Sequence, residues 1–345
     1  MCLDCTVTPT PTQAAALSRR RMLGVTAAGV AGAAALTTLG PFGGTANAAT
    51  PASAATAHPH HDRRRRVPVE NISIQLYTLR TQLEADLDGT LDKLARIGFR
   101  RVEHAGVPTG LTAKQFRNTL RSHGLRSTSG HNTPPSDPFD PVAWAQVLAD
   151  ANTIGQSTVN MSAVGFKGFD PVVGISGLDT AVDWRKLCVI LNKAGKMAHQ
   201  AGLGFGLHNH FWEFLPLKDS PLVGYDILIA ETDPRYVHFE VDLFWAWFAH
   251  HDPAQLVTFL QNRITQFHVK DMKMLADGAT GAVPVPGANS TFTDPGAGVI
   301  DFGRIFAAKS ASPSSTEYII ERDDAGAGGL TTAKVGFNFL KNIRF

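Results

Sequence analysis

Residues 202–214 read GLGFGLHNHFWEF. The stretch starts as a short apolar run with glycines and turns polar within two residues. If 203–207 form a strand, side chains alternate faces. His208 and His210 then share one face while the chain stays extended, with Asn209 on the other and Glu213 in the loop that follows. Burying two imidazoles and a carboxylate at a strand end is costly unless those groups are used. Three later stretches end the same way: FEVDLFW at 239–245, QFHVKDM at 266–272 and YIIERDD at 318–324. Asp242, His268 and Glu321 each follow largely apolar residues. Ligand-type side chains ending four successive strands mark a site built across the mouth of a barrel.

The rest of the chain supports that architecture. NISIQLY, FRRVEHAG, LRSTSGHN and QSTVNMSA read as four earlier strands, at 71–77, 99–106, 125–132 and 156–163. Between them, apolar residues at 87, 91, 94 and 97 keep helical spacing. Thr112 is placed to cap a helix over 111–123, and Asp140 one over 141–154 with Pro141 at its first position. Helices are also expected over 86–97, 179–201, 221–232, 253–262, 301–308 and 330–343. Eight alternating strand–helix units imply parallel strands with right-handed crossovers, an α/β (β/α)8 TIM barrel. A doubly wound sheet would want a phosphate-binding glycine turn after the first strand, and QLYTLRTQLE has none. The longest break, 271–300, follows the seventh strand and is dense in Gly, Pro and Ala; it reads as a lid or substrate wall.

The amino-terminal part reads differently. Ser18-Arg19-Arg20-Arg21-Met22-Leu23 precedes a mildly apolar segment from Gly24 to Leu39, and Ala46-Asn47-Ala48 offers small residues at cleavage positions. This is the pattern of a twin-arginine signal peptide over 1–48, which implies the twin-arginine export machinery as partner and an extracellular or cell-envelope destination. Cys2 and Cys5 would be removed with it, leaving Cys188 among apolar helix positions and no pair for a disulfide. Residues 49–69, rich in Ala, Pro, His and Arg, read as a disordered linker, and 70–345 as the barrel domain. The net charge is only +2, and part of the positive charge sits in Arg63–Arg66, so nothing points to nucleic acid.

His208, Asp242, His268 and Glu321 as a set suit one divalent ion of the Mn, Zn, Co, Fe or Ni kind. Such an ion polarises a carbonyl and stabilises the enediolate left when the adjacent C–H loses its proton. A neighbouring carboxylate or imidazole would take that proton. Lys270, two residues after His268, shares its face and is placed to hold a substrate oxygen. Glu103 and His131 fall near the ends of the second and third strands, where they would bind hydroxyls or move protons, and Trp245 offers an apolar wall against a substrate ring.

ISIQLYTLR, DLDGTLDKLARIGFRRVEHAG, LHNHFWEF, EVDLFWA, FHVKDM, PGAGVIDF and YIIERDD occur in this order. Together they resemble the sugar phosphate isomerase/epimerase family of xylose isomerase-like TIM barrels, in its His-Asn-His branch, over roughly 70–345. The resemblance implies metal ligands at the ends of strands five to eight, with Asp242, His268 and Glu321 matching the last three. At the first, many members have Glu where this chain has His208; His210 is the rival ligand. A mechanism with two opposed glutamates is thereby weakened. The resemblance implies a sugar or keto-sugar substrate, and Glu321 is the expected catalytic base, with His210 or Glu213 as the partner that returns or relays the proton. The expected enzyme is an exported, metal-dependent isomerase or epimerase abstracting a proton next to a metal-bound carbonyl. A keto-sugar lyase or dehydratase and a non-catalytic sugar-binding barrel are the alternatives. An abasic-site endonuclease on this fold would want His where Trp245 stands.

Overall fold

The computed structural model describes residues 65–136, 138–170, 174–273 and 292–345. The expected signal peptide, the expected linker up to 64 and residues 274–291 of the long break lie outside them. The last linker residues are packed: Arg65 pairs its backbone with Phe345 (2.6 and 3.1 Å), donates to the carbonyls of Ala307 and Lys309, and lies over the Phe345 ring, while Val67 is buried.

Eight strands form the barrel: β1 (Ile72–Ile74), β2 (Arg101–His104), β3 (Arg126–Gly130), β4 (Thr158–Met161), β5 (Gly204–His208), β6 (His238–Asp242), β7 (Ile264–Val269) and β8 (Glu317–Ile320). Six run as one parallel sheet in the order β1-β8-β7-β6-β5-β4, and β2 and β3 form a separate parallel pair. Single bridges, Gln75 to Glu103 and His131 to Asn160, attach that pair to β1 and β4 and close the ring.

The helices begin where their caps dictate. Asp86 accepts from Gly89 N ahead of Leu87–Ile97, Thr112 and Gln115 form a capping box ahead of Ala113–Ser122, and Asp140 caps Pro141–Ile154. Ala181–Gln200, Gly224–Glu231, Pro253–Leu260, Phe302–Ala308 and Gly329–Asn342 complete the expected set. The last of these returns to the first unit, where Phe337 meets Phe99 edge-on at 4.9 Å. Gly98, at φ +127°, leaves room for that ring; a Cβ there would come within 2.7 Å of it.

Several elements were not foreseen, among them a short helix over Arg80–Ala85. Phe166–Asp170 and Gly174–Gly177 pair antiparallel after β4, and Leu243–Phe248 is a helix directly after β6. The long break opens as a two-residue ladder, Asp271–Met272 against Phe292–Thr293. Asp271 clamps its return: the carboxylate accepts from the backbone N–H groups of Met272, Gly296, Gly298 and Ile300 at 2.8–3.2 Å.

Candidate metal centre

The ladder register explains which side chains meet. His208 stands opposite Glu240 across β5 and β6, and Asp242 opposite His268 across β6 and β7. Glu321 follows β8 directly, its N–H reaching Val269 O at 3.4 Å. His208, Asp242, His268 and Glu321 each offer one ligand atom, all within 4.8 Å of one another, and all four are buried. His268 Nδ1 lies 2.7 Å from Glu321 Oε2, and His208 Nε2 lies 3.8 Å from Asp242 Oδ2.

Asp242 divides its carboxylate between two tasks. Oδ1 caps the helix Leu243–Phe248 by accepting from Trp245 N at 2.9 Å. Oδ2 is buried without a hydrogen bond, although Lys270 Nζ lies 3.1 Å away. An orphaned, buried carboxylate oxygen beside two imidazoles and a second carboxylate fits a divalent ion. Asn209 explains its place between the histidines: its Oδ1 accepts from Asp242 N and its Nδ2 donates to Asp242 O, at 3.0 and 3.2 Å. The amide thus clamps the end of β5 to the end of β6.

Lys270 shares the His268 face and sits among carboxylates, 2.8 Å from Glu321, 3.1 Å from Asp242 and 3.2 Å from Asp323. Burial works against its charge, but Asp242, Asp323 and Glu321 outweigh it and hold the ammonium well above the ordinary lysine range. For Glu321, burial acts upward, and Lys270 and His268 together hold it below the usual carboxylate range. Burial keeps His208 and His210 well below the ordinary imidazole value, so both are neutral at pH 7.

Several expected side chains sit elsewhere. β5 ends at His208, and His210 follows in the turn beside the cluster: its ring meets that of His208 edge-on at 4.9 Å and stacks on Trp212 at 4.2 Å, and its Nδ1 is buried without a partner. Glu213 lies outside the four-residue cluster. It lies fully buried under the turn, accepts from His210 N at 2.9 Å, and burial pushes its carboxyl well up. Glu103 is not open to substrate hydroxyls: it is fully buried one layer down, where Gln75, Ser129, Asn160 and His268 occupy its oxygens. His131 points into the same layer, its Nε2 3.2 Å from Glu240 and 3.3 Å from Glu103. Trp245 is buried among Phe211, Phe244, Phe248 and Phe292, so it backs the site and presents no open wall.

Glu240 and Asn160 were missed. Glu240 is fully buried, two residues before Asp242 and therefore on the same face of β6; that alternation in FEVD is the signal that marks it. Asn160 Nδ2 lies 2.6 Å from Glu240, 2.9 Å from Glu103 and 2.9 Å from Gln266, tying three strands beneath the cluster.

Comparison with known proteins gives the family. The family described as xylose isomerase-like TIM barrel matches residues 91–343. An inosose dehydratase of Bacillus velezensis is 28% identical over 166 residues, covering 46% of this chain and 54% of that protein. An inosose dehydratase of Salmonella typhimurium is 32% identical over 129 residues, covering 36% and 42%. The chain spans about half the length of these curated relatives. Among solved structures, a sugar phosphate isomerase/epimerase of Parabacteroides distasonis superposes with a TM-score of 0.61 at 21% identity, covering 79% of this chain and 94% of that one. The IolI protein with a bound zinc atom superposes with a TM-score of 0.56 at 13% identity, covering 80% and 99%. These two likenesses show the fold.

Proposed function

Because the chain belongs to the xylose isomerase-like TIM barrel family, we propose that it is a divalent-metal enzyme acting on a sugar or keto-sugar by removing a proton beside a carbonyl. The observation that carries this reading is the buried cluster of His208, Asp242, His268 and Glu321. When bound there, the ion would polarise the carbonyl and stabilise negative charge on its oxygen. Glu321 takes the proton. Lys270, 2.8 Å from Glu321 and charged, stands beside the oxygen on which negative charge develops. Asp323 offers the ammonium a partner outside the ligand set, so Lys270 keeps one when a cation engages Asp242 and Glu321.

Two outcomes follow from that first step. A proton returned to the carbon gives isomerisation or epimerisation. Where the next carbon carries a hydroxyl, the electron pair left by the proton forms a carbon–carbon double bond, and hydroxide leaves and is protonated to water. Two observations favour this second outcome. The ligand cluster has His208 where the family resemblance implies a carboxylate in many members, and the curated relatives above are inosose dehydratases.

The test is a purified mature chain loaded with Mn, Co or Zn and offered inososes and 3-keto sugars in heavy water. About one ion per chain, deuterium exchange at a carbon flanking the carbonyl, and release of an unsaturated ketone are expected. A chain holding one ion that neither exchanges nor transforms any of these substrates would sink the reading. We further propose twin-arginine export from Arg19-Arg20 and the segment after it; unchanged secretion of an Arg19→Lys/Arg20→Lys precursor would refute it.

A further inference from the structure

Two groups of four ligand-type residues meet in the barrel. One is His208, Asp242, His268 and Glu321; the other is His131, His208, Glu240 and His268. They share both imidazoles, but through opposite ring nitrogens. His208 turns Nε2 toward Asp242 and Nδ1 toward Glu240 Oε1, the latter at 3.1 Å. His268 turns Nδ1 toward Glu321, and Nε2 toward Glu103 Oε1 at 2.7 Å and Glu240 Oε1 at 3.2 Å.

We propose that Glu240 and Glu103 are the positioning residues of the metal centre, and that the lower group holds no ion of its own. Glu240 accepts the Nδ1–H of His208, and Glu103 accepts the Nε2–H of His268. The nitrogens left bare are then His208 Nε2 and His268 Nδ1, the two that face Asp242 and Glu321. The histidines are thereby fixed as opposite tautomers. This proposal rests on the metal-centre reading above.

Three observations separate it from a second metal site. A neutral imidazole has one bare nitrogen, so two ions at once would require both His208 and His268 to surrender their remaining ring proton. The lower carboxylates are already supplied: Glu240 Oε2 accepts from Asn160 Nδ2 at 2.6 Å, and Glu103 accepts from Gln75, Ser129 and Asn160 at 2.6–2.9 Å. At the mouth, by contrast, Asp242 Oδ2 is buried without a hydrogen bond. Glu240 Oε1 faces His208, His131 and His268, and Glu103 Oε1 faces His268, Gln75 and His131, so both oxygens are crowded with donors. Partners of this kind, accepting the N–H opposite the metal, fix a ligand histidine's ring and tautomer.

Glu240→Gln tests the idea cleanly. The new amide must turn its NH2 either toward the imidazoles or toward Asn160 Nδ2, and both directions set donor against donor. Metal affinity, read by competition of the chain with a chelating dye for Zn²⁺ and Co²⁺, should fall by about 10- to 100-fold. The visible absorption of the Co²⁺ form should shift as well. Glu103→Gln should act alike, which guards against failure of one variant to fold, and metal-free unfolding midpoints show whether each variant folds. In the zinc-loaded wild-type chain labelled with [15N]histidine, the ring proton should sit on Nδ1 of His208 and on Nε2 of His268. Wild-type affinity in both folded variants, one common tautomer for the two histidines, or a second zinc equivalent that Glu240→Gln removes would each overturn the proposal. A wild-type chain that takes up no ion would overturn the metal-centre reading itself, and this proposal with it.

Discussion

Strands β5–β8 and the β2–β3 pair line the same barrel, yet they are built to different rules. β5 to β8 are tied by continuous ladders and carry the whole candidate ligand set at their carboxyl ends. β2 and β3 join their neighbours through single bridges, and the polar groups they contribute, Glu103 and His131, face sideways into a layer of side-chain partners. The difference is one of satisfaction. Beneath the mouth, the buried carboxylates of Glu103 and Glu240 have donors for both oxygens; at the mouth, Asp242 keeps one oxygen without a hydrogen bond. Burying such an oxygen costs stability unless a partner arrives. The mouth, with its unsatisfied carboxylate oxygen, is the side where chemistry is expected, and the carboxylate layer beneath it is the support.

The sharpest way to break this contrast is Glu321→Gln. It removes the proposed base and weakens a ligand in one change, so turnover should fall beyond the ~10²–10⁴ of a general base alone. Near-normal steady-state rates would show that the mouth is not the chemical side.

Next in size is Asp271→Ala, just past β7. Four backbone N–H groups lose their acceptor. At about 1 kcal/mol or more each, the loss should approach 4 kcal/mol in denaturant unfolding, with metal content retained. An unchanged midpoint would mean the clamp is ornamental.

The smallest effect belongs to Glu317, at the opposite end of β8. It accepts from Thr128 Oγ1 at 2.6 Å, and burial pushes its carboxyl up to about 7 from the usual 4.5. The proton is held more tightly folded than unfolded. Its contribution to stability is therefore full below about pH 4.5 and is lost as pH rises through about 7. Glu317→Gln, which needs no proton, should gain at most about 3 kcal/mol over wild type at pH 8 and almost nothing at pH 4. Equal gains at both values would remove burial as the cause.

Much of the contrast could be read from residue order. Asp242, His268 and Glu321 stand out because an apolar strand that ends in a ligand-type side chain has few structural uses for it. His208 and His210 could not be separated, because the choice depends on where β5 stops. It stops when Asn209 turns its amide onto the Asp242 backbone, a contact 33 residues away in sequence. Glu103 was placed one layer too high for a similar reason: the Gln75–Glu103 bridge sets its depth, and no local pattern encodes a bridge. The helix Leu243–Phe248 was hidden inside LFWAWF, a run as apolar as the strand before it, and only the Asp242 cap separates the two. Glu240 was legible and passed over, since it alternates with Asp242 on one face.

The paired backbones of Arg65 and Phe345 have a consequence for topology. Because these two residues hydrogen-bond to each other in both directions, at 2.6 and 3.1 Å, the described chain leaves its fold at nearly the point where it enters. The domain is close to a ring that happens to be cut there. Joining the two ends needs only a short connector, and a short connector closes little loop entropy. The order of the eight strand–helix units is then cyclic, and a circular permutant opened between two outer helices would keep all four ladder ends that meet at the mouth.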